Sequence, residues 1–148
     1  MKKVFFALSL ALLITGCSTT DTQTYAKFDE RNKTITIPYG SSGLKGGIKK
    51  ALTDRGWKMT VYSGAEILEG TNGSSVRMEK YRTFNTRYTL FGNARATGPA
   101  GCLISQYFIY DIAIVDNKTG QEVTTMNGEG CEGRVLDTFG KALDASSQ

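Results

Sequence analysis

The chain contains no histidine among its 148 residues. Histidine is the commonest general base at neutral pH and a frequent metal ligand, so its absence argues against many hydrolases and transition-metal sites. Apart from the adjacent pair Asp29-Glu30, the carboxylates are spread singly along the chain. We therefore expect no enzymatic activity, no catalytic residues, no metal and no cofactor.

Long apolar runs are also missing, except at the start. Two lysines after Met1 precede twelve mainly apolar residues, 4–15. This run is too short for a permanent membrane span, which needs about 20 residues. A basic start followed by a short apolar run is typical of a secretory signal peptide. The run leads into Ile14-Thr15-Gly16-Cys17. One interpretation is an ordinary signal peptide, in which Cys17 has no special role.

The sequence Ile14-Thr15-Gly16-Cys17 resembles the lipobox of bacterial lipoproteins. The resemblance implies cleavage before Cys17, which becomes the acylated first residue of the mature chain. Ser18 follows the cysteine, which in this family favours transfer to the outer membrane, with the domain in the periplasm. Several acyl chains on one residue make a stable anchor.

The mature chain is nearly neutral. Loss of Lys2 and Lys3 with the signal leaves sixteen basic against fourteen acidic side chains. A balance this even gives no electrostatic reason to expect a nucleic-acid partner. We predict a signal peptide at 1–16, a lipid anchor and tether at 17–32, and one domain at 33–148. Within the second segment, residues 18–27 are polar and are predicted to be flexible.

The first half of the domain shows a strand, a helix and a strand. Residues 33–39 alternate and contain β-branched side chains, and residues 57–63 do so more weakly. Between them, residues 41–56 have apolar positions at helical spacing, with Ser41 or Ser42 as the predicted N-cap. Short connections favour a βαβ unit with parallel strands.

The second half favours antiparallel strands. Residues 64–83 are predicted as two short strands around an Asn-Gly turn, with a helix at 64–69 as the alternative. Strands are expected at 87–96, 103–116 and 121–129, followed by a helix at 134–145. The predicted fold class is α+β: a βαβ unit, then an antiparallel sheet or hairpin, packed by two main helices.

Residues 128–133, Gly-Glu-Gly-Cys-Glu-Gly, match the G-x-G-x-x-G pattern of dinucleotide-binding folds. That fingerprint requires a parallel strand before it and a second strand with an acidic residue about 20 residues later. Only 15 residues follow Gly133, and the preceding strand is predicted to be antiparallel. We therefore expect no nucleotide to bind.

Two cysteines remain once Cys17 is acylated. Folding the predicted hairpin about residues 116–120 brings Cys102 and Cys131 close together at its open end. Because the periplasm is oxidising, we expect them to form a disulfide rather than two free thiols.

One stretch combines positive charge with aromatic side chains. Five basic residues are interleaved with Tyr and Phe between positions 77 and 95: Arg77, Lys80, Arg82, Arg87 and Arg95. They form a candidate binding face for an anionic glycan, a lipid or an acidic protein surface. The alternative is a solvated sheet face whose long side chains cover apolar surface.

The body of the chain loosely resembles small α+β envelope lipoprotein domains of the TolB amino-terminal and CsgG-like kind. The stretches that carry this resemblance are 44–61, 87–96, 109–123 and the final helix. The crosslinked hairpin is also similar to that of secretion-system pilotins. These resemblances imply a non-enzymatic accessory that binds a protein partner while an outer-membrane, secretion, pilus or flagellar machine assembles. Alternatives are a binder of anionic envelope glycan or lipid, and a periplasmic immunity or exclusion lipoprotein.

Overall fold

The computed structural model describes residues 19–62, 66–70, 76–80, 85–98, 102 and 105–147. Strands predominate, with one helix between the second and third strands and another after the last strand. In chain order the elements are β1 (Thr19–Thr24), β2 (Thr34–Pro38), α1 (Leu44–Thr53), β3 (Lys58–Tyr62), β4 (Glu66–Gly70), β5 (Val76–Lys80), β6 (Tyr88–Gly98), β7 (Tyr107–Asp116), β8 (Gln121–Cys131) and α2 (Glu132–Ala145). The predicted α+β class is confirmed.

Six of the strands form one mixed sheet, in the order β1-β8-β7-β6-β2-β3. Strand β2 runs parallel to both β3 and β6, and the other neighbours are antiparallel. The predicted βαβ unit and hairpin are therefore both present. Strands β4 and β5 pair separately as an antiparallel two-stranded sheet, so the first of the two readings of this region is confirmed.

Helix α1 buries the face that its sequence pattern predicts, through Leu44, Ile48 and Leu52. Its N-terminus differs from the prediction. The N-cap is Gly43, at a φ of 57°, and no side chain caps the helix. Glycine adopts this left-handed conformation at little cost, so the chain enters the helix through a backbone turn instead of a serine cap.

The core lies between the two helices and one face of the sheet. Alternate residues of β7 point into it, namely Phe108, Tyr110, Ile112 and Ile114. Helix α2 adds Val135, Phe139 and Leu143. At one end, the rings of Phe28, Trp57 and Tyr88 pack edge to face, with centroids 4.9–5.5 Å apart.

The two helices approach each other closely at Gly47. A Cβ added at Gly47 would overlap the side chain of Leu136 on α2. Beyond this contact, the Arg55 guanidinium donates to Asp144 at 2.7 and 3.0 Å. A glycine and an ion pair thus fix the helix pair at two points.

Strand β1 corrects the predicted tether. Residues 19–24 were expected to be flexible, yet all six pair with β8, from Thr19 opposite Glu129 to Thr24 opposite Thr124. All six are exposed. The strand is therefore held by main-chain pairing at a sheet edge. Its sequence has no alternation of apolar residues, so the sequence alone does not predict a strand here.

Candidate functional site

The face of β6, β7, β8 and β1 that points away from the core carries no helix within the described residues. Residues that pair directly on neighbouring strands point to the same face of the sheet, so each set of paired residues forms a row across it. One row contains Phe91, Ala113 and Thr125, and another contains Arg95, Ile109 and Glu129. We call this surface the open face.

Two large apolar side chains lie on the open face in the middle of the sheet. Phe91 is 43% exposed and Ile109 is 42% exposed. They belong to adjacent strands and to rows four residues apart along β6. Unlike the core residues of the same strands, they have no covering layer in the described part of the chain.

Tyr25 adds a second exposed ring beside the same face and is 57% exposed. Its hydroxyl donates to the Gln23 side chain at 2.7 Å and accepts from the Thr125 hydroxyl at 3.5 Å. Because Gln23 pairs with Thr125, this ring lies at the β1 edge of the row that contains Phe91. The open face therefore presents aromatic surface at both ends of one row.

The charges of the open face are mixed. Arg95 is adjacent to Ile109, and Glu129 lies on the other side of that residue. Asp111 and Asp21 occupy a neighbouring row together with two asparagines. One arginine among three acids does not make a basic surface.

The structure does not bring the five predicted basic residues together on this face. Arg95 is exposed on it. Arg77 and Lys80 belong to β5, which pairs only with β4 among the described strands, and Arg82 lies outside the described residues. Arg87 is half-buried and faces carboxylates.

The guanidinium of Arg87 holds the carboxylate of Asp116 in a two-point contact. Its Nε and Nη2 donate to the two carboxylate oxygens at 2.8 and 2.6 Å, and Asp29 lies 3.4 Å from Nη1. The hydrogen bonds from Arg87 lower the pKa of Asp116, and the Lys118 backbone N–H adds to the effect. The same pair raises the pKa of Arg87. The pair joins the start of β6 to the end of β7 and has a structural role.

The disulfide forms as predicted, between Cys102 and Cys131, with Cα atoms 5.7 Å apart. Cys131 ends β8 opposite Tyr107, and Cys102 lies in the connection from β6 to β7. The glycine-rich hexapeptide therefore spans the end of β8 and the start of α2. Because β8 is antiparallel to both neighbours, it lacks the parallel strand of a dinucleotide site.

A groove of about 330 Å³ opens where β2 ends at Pro38 and β6 continues. Its lining is mostly apolar and includes Ala94, Ala96 and Phe108, with Lys45 and Lys49 at the rim. Lys49 donates to the Gly40 carbonyl at 2.6 Å, and the Lys45 ammonium lies 5.6 Å from the Tyr39 ring centroid.

Ser42 and Lys45 have the Ser-x-x-Lys spacing of some acyl-transfer enzymes, and both line this groove. An activated serine needs its base within hydrogen-bond reach. No hydrogen bond joins these two side chains in the region that the structure describes. The Lys45 ammonium instead lies over the Tyr39 ring.

The residues that the structure describes contain no cluster of three acidic or cysteine side chains placed to hold a metal ion. None of their helices is long and apolar enough to cross a membrane.

Taken together, the described residues form an α+β domain with one uncovered sheet face. Residues 1–18 match the model of the prokaryotic membrane lipoprotein lipid attachment site, which supports a bacterial lipoprotein anchored to a membrane. A search of curated proteins finds no match.

Solved structures show the same fold. The PelC dodecamer from Paraburkholderia phytofirmans is 13% identical, with a TM-score of 0.52, over 89% of this chain and 99% of that chain. A point variant of that dodecamer is 14% identical, with a TM-score of 0.51, over 88% of this chain and 98% of that one. These comparisons indicate no enzyme family.

Proposed function

We propose that this chain is a non-enzymatic lipoprotein, acylated at Cys17, held at the outer membrane with its domain in the periplasm. It acts as an accessory in the assembly of an envelope machine by binding a protein partner through the open face. The lipid attachment site supports the anchoring, and the exposed apolar side chains of the open face support a protein partner.

The exposure of Phe91 and Ile109 carries the proposal for the open face. Centres of protein interfaces are poor in charge and rich in aromatic side chains, with polar residues around them. Phe91, Ile109 and the nearby Tyr25 supply apolar surface. Arg95, Asp111 and Glu129 supply the polar surroundings. This composition fits a protein partner better than a polyanion.

A second copy of this chain is one such partner. The PelC structures of similar fold are dodecamers. An uncovered sheet face that becomes buried between copies would explain why apolar side chains lie outside the core. The resemblance to TolB amino-terminal and CsgG-like domains stays a hypothesis about which machine is served.

The alternative, a binder of anionic glycan or lipid, has less support. It needs several cations on one surface, whereas Arg87 is neutralised by Asp116 and Arg95 lies among acids. Among the five predicted residues, only Arg95 is shown to be exposed. The immunity or exclusion role has no specific structural support.

Photo-crosslinking in intact cells tests the proposal. A photoreactive amino acid replaces Phe91 on the open face or Lys118 in the exposed β7–β8 turn, and mass spectrometry identifies the products. We expect one protein species, a second copy or another envelope protein, to dominate at position 91 and to be absent at 118. The variant Ile109→Glu should abolish that product, and Arg77→Glu should leave it unchanged. Equal labelling at both positions, or products with lipopolysaccharide alone, would contradict the proposal.

A further inference from the structure

The distance between the lipid-bearing residue and the folded domain is short. Ser18 alone separates Cys17 from Thr19, the first residue of β1. Two residue steps of extended chain span at most about 7 Å. A flexible segment of the ten residues 18–27 would instead have had a root-mean-square reach of about 18 Å.

Thr19 is firmly held by the sheet. It lies opposite Glu129, and a Cβ added at Gly128 would overlap its carbonyl oxygen. One residue later, the Thr20 hydroxyl is 2.7 Å from the hydroxyl of the buried Tyr110. The first residues of β1 therefore cannot move away from the domain without breaking these contacts.

Thr19 marks one particular end of the sheet. Three other strands have an end here: β6 at Gly98, β7 at Tyr107 and β8 at Cys131. Gly98 pairs with Tyr107, and Tyr107 pairs with Cys131. The turn between β7 and β8, residues 117–120, lies at the other end. The first and last of the ten residues of β7 are nine steps apart, so the two ends are separated by about 31 Å.

From this geometry we infer that the Cys102–Cys131 end of the domain is a membrane-contacting surface, held against the lipid headgroups by the short connection to Cys17. The inference rests on the proposed acylation of Cys17. The partner is the phospholipid surface itself. The opposite end, with the β7–β8 turn, faces away from the membrane.

The connection, and not charge, holds this surface in place. The exposed cations near this end include Lys45, Arg95 and Arg134, and the half-exposed acids Glu129 and Glu132 offset two of these three charges. Electrostatic adsorption to a membrane requires clusters of basic residues and weakens with salt. The orientation should therefore be the same on zwitterionic lipid and at high ionic strength.

The test uses the full acylated protein, purified from membranes and reconstituted into phosphatidylcholine vesicles with a headgroup-attached quencher. A fluorophore is placed on Thr97→Cys at the proposed contacting end or on Lys118→Cys in the opposite turn. Both positions are exposed. With Cys17 acylated and the disulfide closed, the introduced cysteine is the single free thiol. We expect quenching to be at least threefold stronger at 97 than at 118, and unchanged at high salt.

A matched insertion variant carries twenty Gly and Ser residues between Ser18 and Thr19, which adds a reach of about 25 Å. In that protein the difference between the two labels should disappear. Equal quenching without the insertion would overturn the inference, as would strong quenching at 97 that survives it. Neither result depends on a partner protein. If mass analysis shows no acylation and all variants fail to bind vesicles, the anchor and this inference are both wrong.

Discussion

Gly128 of β8 lies directly opposite Thr20 of β1, and a Cβ added to it would come within 2.9 Å of the Thr20 Cα. The same atom would overlap the Thr19 carbonyl oxygen, and the φ of Gly128 is 147°. Both the space and the backbone conformation thus require glycine at this position.

Replacing Gly128 with alanine should displace the start of β1. Because the overlap is with backbone atoms, side-chain rotation cannot relieve it, and we expect a loss of about 2 kcal/mol in the free energy of unfolding. Urea denaturation measures the loss, and hydrogen exchange of residues 19–24 locates it. Gly133→Ala is the control, since it has open space within α2 and should be neutral or stabilising. Equal stability of Gly128→Ala and the wild type would refute the close packing.

The contact of Gly47 with Leu136 predicts a non-additive pair. Gly47→Ala should destabilise the protein by about 1–3 kcal/mol because the new methyl group overlaps a packed side chain. Adding Leu136→Ala should remove that overlap, so the double variant should be more stable than the two single losses predict. A double-mutant cycle from urea denaturation measures the coupling. Strict additivity would show that the helices do not meet at this point.

The Arg87–Asp116 pair should shape the acid sensitivity of the fold. The pKa of Asp116 is lower in the folded state than in the unfolded state. The ionised carboxylate therefore stabilises the fold fully above the unfolded pKa, near 4, and this stabilisation is lost as the pH falls through the folded pKa. Asp116→Asn should reduce stability at pH 7 and flatten the decline below pH 4. Thermal unfolding across pH 2–7 measures both effects.

The exposed residue Asp137, which pairs with Lys141 at 2.7 Å, is the matched control. Because an exposed pair on one helix contributes little, Asp137→Asn should change stability by at most about 0.5 kcal/mol. A larger loss for Asp137→Asn than for Asp116→Asn would contradict the assigned roles.

Opening the disulfide should weaken the fold strongly. It closes a loop with a sequence separation of 29 residues, for which the chain-entropy model predicts about 3.6 kcal/mol. The double variant Cys102→Ser with Cys131→Ser should show this loss in urea denaturation, and reduced wild type should match it. Identical unfolding midpoints for oxidised and reduced protein would rule out a stabilising crosslink.

Elements with a clear apolar period could be predicted from the sequence. The alternation in residues 107–116 and the helical spacing in residues 44–53 follow directly from which face each element buries. The disulfide was also predictable, because only two cysteines remain after Cys17 and the predicted hairpin brings them close together.

Features that depend on pairing between distant segments could not be predicted. Strand β1 is polar and fully exposed, so only its partner β8 makes it a strand. Arg87 looks like a solvated cation until the fold places Asp116, 29 residues later, against it. The open face could not be predicted, because nothing in the sequence of one strand shows which of its faces the helices cover.

Intact-mass analysis of the protein extracted from membranes in detergent tests the account most directly. Removal of 16 residues from 148 predicts a chain of 132 residues that begins at Cys17, carries acyl groups and contains no free thiol. An unmodified Cys17 on a chain recovered without membranes, with Cys102 and Cys131 reduced, would contradict it.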